Sequence, residues 1–298
     1  MLKISQLTEG RQKVAGLCCL VSSADLRLTK TGKPYLAGVL MDDTGTIGFK
    51  VWDNAELLKE VLSAGLPVTV KSGVCEEYNG EISVKVTVVE ALPPAAADDL
   101  LLKSHIPFDI LMEKWNNYVS RLKEMGIDLT AGIERLASAG LLAKFFKVPA
   151  AVKHHHVFRH GLLQHTLEVC DIADSLIQNA AHYQNLDLDP GVIFPAAMFH
   201  DFGKLAEYDI TPLEMFEKFS LDGEMLGHHY IGAVLFEKVF GKAFAEHPDR
   251  LRGIKHCILS HHGKLEWGAC LVPRTPEAYT VSQADLYSAQ IGQVKTGN

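Results

Sequence analysis

The chain has no run of about eighteen apolar residues, so no segment reads as a membrane-spanning helix. Its first residues, MLKISQLTEG, contain no apolar stretch of signal-peptide length, so secretion is not expected. CxxC spacing is missing: the six cysteines, Cys18, Cys19, Cys75, Cys170, Cys257 and Cys270, read as reduced core thiols in a cytoplasmic protein. A global basic excess is also missing, since 29 basic residues against 36 acidic ones leave a net charge of −7. Any contact with nucleic acid must then be local rather than a coat of positive charge. Internal repeats and low-complexity tracts are absent too. With 298 residues and a 47% hydrophobic content, the chain can bury real cores, the composition argues against disorder, and two domains are expected.

The first part reads as strands. Val14–Ser22 and Tyr35–Met41 are β-rich, and Asp42-Asp43-Thr44-Gly45 is a turn. Ile47, Phe49 and Val51 then alternate with Gly48, Lys50 and Trp52, the period of a half-buried strand. Asp53 and Glu56 are spaced as a capping box for a short helix that Gly65 would stop. Val68–Cys75 is a fourth strand, Asn79-Gly80 a hairpin turn, and Ile82, Val84, Val86 and Val88 alternate along a fifth. Three strands, a helix and two strands is the order of a five-stranded OB-fold barrel, assigned to residues 1–92. Such barrels bind single strands across the second and third strands and the neighbouring loops. Here that surface would carry Lys30, Lys33, Tyr35, Lys50, Trp52 and Tyr78, cations for phosphates and aromatics for bases. The plainer reading, a solvated lysine turn with aromatics filling a small core, weighs about equally for the patch as a whole.

Leu92-Pro93-Pro94-Ala95-Ala96-Ala97-Asp98 breaks the strand pattern and opens a linker over residues 93–106. Residues 107–298 read as helices, with Pro107–Met125 one of them and Leu129–Val148 one or two more. Within this part, histidines and aspartates fall on apolar stripes. His165 shares a face with Leu162, Val169, Ile172 and Leu176, and His200 with Ile193 and Ala197. His228 aligns with Ile231, Leu235 and Val239, His261 with Ile254 and Ile258, and Asp285 with Val281 and Ser288.

A single histidine on such a stripe is ordinarily a core residue bonded to a carbonyl. Several stripes each carrying one, together with Asp201 and Asp285, are not explained that way, because unpaired carboxylates do not enter cores cheaply. One or two divalent ions, with ligands collected from facing helices, would neutralise them. The mixed nitrogen and oxygen donors suit manganese, iron, cobalt or nickel better than calcium, and magnesium is a further option. Asp201 would bridge two ions and Lys204 would offset charge on phosphate oxygens. Glycine in HDFGK would let the backbone turn sharply away.

The segments HH…GLLQHTLEV, HDFGK, LGHHYIGA, ILSHHGKLEWG and ADLYSA resemble the HD-domain metal-dependent phosphohydrolases. More closely, they resemble the YhaM-type 3′–5′ exoribonucleases, which also place an OB-fold before the HD domain. The resemblance covers nearly the whole chain. It implies a barrel followed by an all-α HD bundle, and manganese-dependent hydrolysis of single-stranded RNA, with the preference between RNA and DNA left open. By that likeness His165, His200, Asp201 and Asp285 match core metal ligands, His228 and His261 match those of a second ion, and Lys204 matches a phosphate-facing lysine. His262 could substitute for either histidine role. His155, His156, His160, His229, Glu266 and Trp267 would stand near the ligands or the substrate. The plainer readings are solvated side chains for His154–His156 and an ordinary hairpin for Glu266 and Trp267. Two departures stand out: Ser288 occupies a position where the family often has a second acid, and His160 replaces an expected glycine. Rival readings are a hydrolase of free nucleotides or cyclic dinucleotides, a non-catalytic single-strand-binding accessory protein, and a di-iron oxygenase. Asp171, Asp174, Asp209 and Asp222 read as surface residues, and the oligomeric state is left open.

Overall fold

Alternation between core and solvent runs through five long strands, β2 (Leu17–Leu28), β3 (Pro34–Asp42), β4 (Gly45–Val51), β5 (Pro67–Tyr78) and β6 (Glu81–Ala91), with a two-residue β1 (Lys13–Val14) before them. In this computed structural model, residues 2–78, 80–101, 104, 106–150, 158–210 and 216–295 are described. The chain divides into two compact units, Met1–Lys103 with Ile210–Glu217, and Ser104–Asp209 with Lys218–Asn298.

In the first unit β2 pairs antiparallel with both β3 and β5, β3 with β4, and β5 with β6. The sheet closes where β4 and β6 run parallel, with Phe49 opposite Val84. This β2–β3–β4–β6–β5–β2 circuit is the OB-fold barrel, and closure removes the sheet edges that would otherwise invite aggregation. Leu17, Leu36, Leu40, Phe49, Val68, Val70 and Val84 fill it. β2 extends to Leu28, past the expected end at Ser22, because its outer half still pairs with β3 as far as Leu28 opposite Pro34. The expected capping box is not formed. Helix α1 (Ala55–Leu58) starts on Asn54 with left-handed φ 58° and no side-chain cap, while the Asp53 carboxylate accepts from Lys33 Nζ at 2.9 Å. Residues after the barrel also pack on it: α2 (Ala97–Leu100) and Leu101 bury against Leu20 and Met41.

The second unit is built from α3 (Phe108–Glu124), α4 (Thr130–Ser138), α5 (Leu141–Lys147), α6 (Gly161–Gln184), α7 (Pro190–Phe199), α8 (Lys204–Glu207), α9 (Leu221–Phe240), α10 (Pro248–Ser260) and α11 (Pro276–Lys295). α7 is buried on every side from Gly191 to Phe199, so it is the axis of the bundle. Asp189 caps it by accepting from Gly191 N at 2.9 Å, and Pro190 occupies the first turn. At its end Phe199 meets Trp115, Phe202, Phe236 and Phe240, with ring centroids 4.6–5.7 Å apart. Truncating such a ring costs about 3–5 kcal/mol, so this cluster rigidly fixes the residues that follow Phe199. Asp171 and Asp174, read from sequence as surface residues, are half-buried ties between α6 and α3. Asp171 accepts from Tyr118 Oη at 2.8 Å and pairs with Lys114, and Asp174 holds Arg121 through two bonds of 2.9 and 3.0 Å.

Candidate metal centre

Helix ends deliver three of the six expected ligands, His200, Asp201 and His261. His200 and His261 each lie one residue past a helix, α7 and α10, where the last carbonyls have no helical partner. Each ring turns back to use one: His200 Nδ1 donates to Ala197 O at 2.8 Å and His261 Nδ1 to Ile258 O at 2.7 Å. A carbonyl only accepts, so Nδ1 carries the proton and Nε2 presents its lone pair inward. His262 does the same against Trp267 O at 2.9 Å. His165 of α6 meets Ser288 Oγ of α11 through Nδ1 at 3.0 Å, and His228 Nδ1 donates to Glu207 Oε1 at 2.9 Å.

The inward nitrogens surround Asp201, and its two oxygens divide them. Oδ2 lies 3.4 Å from His200 Nε2 and 3.6 Å from His165 Nε2. Asp285 Oδ1 joins that side, 3.1 Å from His165 Nε2 and 3.8 Å from His200 Nε2. Oδ1 lies 3.6 Å from His228 Nε2 and 3.6 Å from His261 Nε2. His229 and His262 complete a four-imidazole group on this second side. His228 and His229 open the regular part of α9 just after a break at Gly227, with φ 68° and ψ 156°, and His261 and His262 close α10 just before Gly263, with φ 79°.

Asp201 Oδ1 and the Nε2 atoms of His228, His229 and His261 are buried with no hydrogen-bond partner among the described residues. Orphaned polar atoms of this kind are costly in a protein interior, and a carboxylate flanked by the lone pairs of His228 and His261 is a donor set for a transition ion. Burial opposes ionisation of Asp201, yet Lys204 and His200 hold its carboxyl well below the usual carboxylate range. Burial likewise works against Asp285, but His165 and His200 keep it low. Burial pushes His261 down to about 3 and lowers His165, His229 and His262. For His200 burial is outweighed by Asp201 and Asp285, and its pKa is raised. The residues present therefore fit divalent cations.

Of the remaining expected positions, Lys204 stands at the centre and the others are dispersed. Lys204 Nζ donates to Asp201 Oδ2 at 2.6 Å and to Ala150 O at 2.8 Å. His160 takes a left-handed φ of 67° at the start of α6, the conformation for which glycine is suited. Its ring stacks on Phe108 and its Nδ1 meets Phe146 O at 2.6 Å. His154, His155 and His156 lie outside the described residues. Glu266 and Trp267 form a 3₁₀ turn instead of a hairpin, with Lys264 Nζ 4.3 Å from the Trp267 ring. In the barrel, Tyr35 and Trp52 stack at 4.7 Å, while Lys50 and Tyr78 line a separate groove of about 520 Å³ with Arg27, Gly38, Gly48 and Ser83. Lys30 is exposed. Sequence reasoning missed Glu207, Glu168 and Arg27. The spacing of Glu207 after HDFGK, and of Glu168 one turn beyond His165, were the available signals.

The HD domain family model matches residues 162–290, which contain all these ligands. The helical unit carries an HD domain. Ser288 lies in this HD domain where the resemblance leads one to expect an acid, and it carries a hydroxyl bond to Glu168 Oε2 at 2.9 Å instead. Over the whole chain, homologues include the 3′–5′ exoribonuclease YhaM of Bacillus velezensis, 29% identical over 275 residues, 91% of this chain and 83% of that protein. The 3′–5′ exoribonuclease YhaM of Listeria innocua is 28% identical over 286 residues, 93% of this chain and 86% of that protein. An OB domain of MM0293 from Methanosarcina mazei is 32% identical over 32% of this chain and 85% of that one, with a TM-score of 0.26.

Proposed function

We propose that the protein is a metal-dependent 3′–5′ exoribonuclease that hydrolyses phosphodiester bonds of single-stranded RNA. The observation that carries this reading is the buried Asp201 carboxylate, one oxygen toward His165 and His200 and the other toward His228 and His261. His165, His200, Asp201 and Asp285 would hold one ion, and Asp201, His228 and His261 a second, with His229 and His262 beside it. Bound there, divalent ions supply a hydroxide near neutral pH and Lewis-acid stabilisation of phosphate charge. Manganese is the ion proposed, and the mixed donor set supports it.

The chain's own residues prepare the site. Carbonyls of Ala197 and Ile258 fix the rings of His200 and His261 in the tautomer that binds cations. Lys204 holds Asp201 in orientation and puts a positive charge where phosphate oxygens gain charge. The OB barrel would hold the strand through Lys50, Trp52, Tyr35 and Tyr78, with Lys30 and Lys33 at its rim. The cytoplasm is the proposed compartment, supported by six free cysteines.

The test is a 5′-labelled single-stranded RNA incubated with the protein and Mn²⁺. A ladder shortening from the 3′ end is expected. Intact RNA alongside hydrolysis of a cyclic dinucleotide would replace this reading with the small-substrate one.

A further inference from the structure

The four ligand imidazoles are held from behind in two different ways. His200 and His261 donate to main-chain carbonyls three residues back in their own helices. His228 and His165 instead lead to carboxylates. Glu207 Oε1 accepts from both His228 Nδ1, at 2.9 Å, and His228 N, at 3.0 Å. Glu168 reaches His165 through a hydroxyl: Ser288 Oγ donates to Glu168 Oε2 at 2.9 Å, so its lone pair accepts from His165 Nδ1 at 3.0 Å. The other Glu168 oxygen accepts from Gln164 Nε2 at 2.8 Å. Each side of Asp201 therefore has one imidazole backed by a carboxylate and one backed by a carbonyl.

The Ser288 arrangement is a clamp between two helices. α6 supplies His165 and, one turn later, Glu168; α11 supplies Asp285 and, one turn later, Ser288. The ligand of one helix is braced by the other, and Ser288 is 1% exposed, so water does not substitute for the hydroxyl. A carboxylate behind a ligand imidazole fixes its tautomer and raises its donor strength, and loss of such a partner typically costs about 10–100-fold in metal affinity.

We infer that Glu207 and the Glu168–Ser288 pair are positioning residues, each governing the ion on one side of Asp201. The inference rests on the two-ion reading proposed above. It makes the two ion affinities separately adjustable: Glu207 sets the His228 side, and Ser288 with Glu168 sets the His165 side.

Mn²⁺ binding to the full-length, ion-free protein, followed through the electron paramagnetic resonance signal of free Mn²⁺, tests this without reference to cleavage. Ser288→Ala is expected to weaken one of two bound equivalents about 10–100-fold and spare the other, and Ser288→Thr, which keeps the hydroxyl, to restore it. Glu207→Gln keeps an acceptor oxygen but removes the charge, and should weaken the other equivalent. The double variant should weaken both. ¹⁵N spectra of the ion-free imidazoles supply a second readout, with Ser288→Ala expected to mix the tautomers of His165 alone. If wild-type protein binds two ions while Ser288→Ala and Glu207→Gln bind them unchanged, or if the double variant is no weaker than either single one, the inference falls and the reaction class stands. Wild-type protein that binds no Mn²⁺ would overturn both.

Discussion

Asp201 Oδ1 lies 3.6 Å from His261 Nε2, and neither atom has a hydrogen-bond partner among the described residues. An acceptor facing an acceptor in a protein interior is unfavourable unless a cation or a proton lies between them. With His261 pushed down to about 3 by burial, a proton is not held there at neutral pH. The first prediction follows. Mn²⁺ at about a hundred times its dissociation constant should stabilise the folded chain by about 2.7 kcal/mol per site. For a chain of 298 residues that raises the melting temperature by roughly 4 °C per site. Asp201→Asn should lose most of that rise and slow cleavage at least about 100-fold. Calorimetry with and without Mn²⁺ checks it, and an equal rise in the variant would remove Asp201 from the ion site.

Gly203 supports the second prediction. It has φ −61°, an ordinary helical value, so the sharp turn expected of the HDFGK glycine is not its reason for being there. A Cβ at Gly203 would instead stand 2.0 Å from His228 O and 2.7 Å from Gly232 N. The glycine lets α8 and α9 approach closely enough to put His228 opposite Asp201. Gly203→Ala must push α9 away, at a cost of about 1–3 kcal/mol, and should weaken Mn²⁺ binding as well as lower the melting temperature. Unchanged binding at a lowered melting temperature would show that the close approach serves packing alone.

The strand order of the barrel and the apolar stripes carrying His165, His200, His228, His261 and Asp285 were legible because each follows a short-range period, two for strands and 3.6 for helices. The second side of the centre was only partly legible. The stripe of His228, Ile231, Leu235 and Val239 lies wholly past the break at Gly227 and follows the helical period, but the burial of His229 beside His228 does not follow from that stripe. No local period carries that information. Glu207 escaped notice because it lies on a one-turn helix, α8, too short to show periodicity, and its partner His228 is 21 residues away. His160 was legible as a misfit, and the positive φ explains why glycine was expected at that position.

Acid should destabilise the ion-free protein before it protonates the carboxylates. Histidine in an unfolded chain titrates near 6.5, while burial lowers His165, His229, His261 and His262 in the folded state. Below 6.5 the unfolded chain binds protons that the folded one does not, so this stability is full above pH 6.5 and is lost as pH falls toward 3. Asp201 and Asp285, both held low, add stability above about pH 4 that is lost on further acidification. His200, raised by its aspartates, works in the opposite sense: its contribution is present below 6.5 and fades as pH rises through its folded value. The lowered imidazoles outnumber it. The melting temperature should fall from pH 7 to pH 5, and a flat or rising profile would contradict the burial of these rings.

The barrel poses the last question, whether its aromatics stack bases or only fill space. Tyr35 and Trp52 stack on one another at 4.7 Å and 20°, both half-buried. Lys50, two residues before Trp52, turns into the groove that Arg27 and Tyr78 also line. If the stack is a platform for a base, Trp52→Ala should weaken single-stranded RNA binding by about 1–3 kcal/mol, with Trp52→Phe recovering part of the loss. Lys50→Ala should act through charge, lowering the slope of log affinity against log salt by about 0.7, the share of one phosphate on a single strand. Fluorescence anisotropy of the ion-free, full-length protein measures both without cleavage. If the stack is only packing, Trp52→Ala will lower the melting temperature and leave the affinity intact, and the barrel's grip on RNA must then come from Tyr78 and the cations Lys30, Lys33, Lys50 and Arg27.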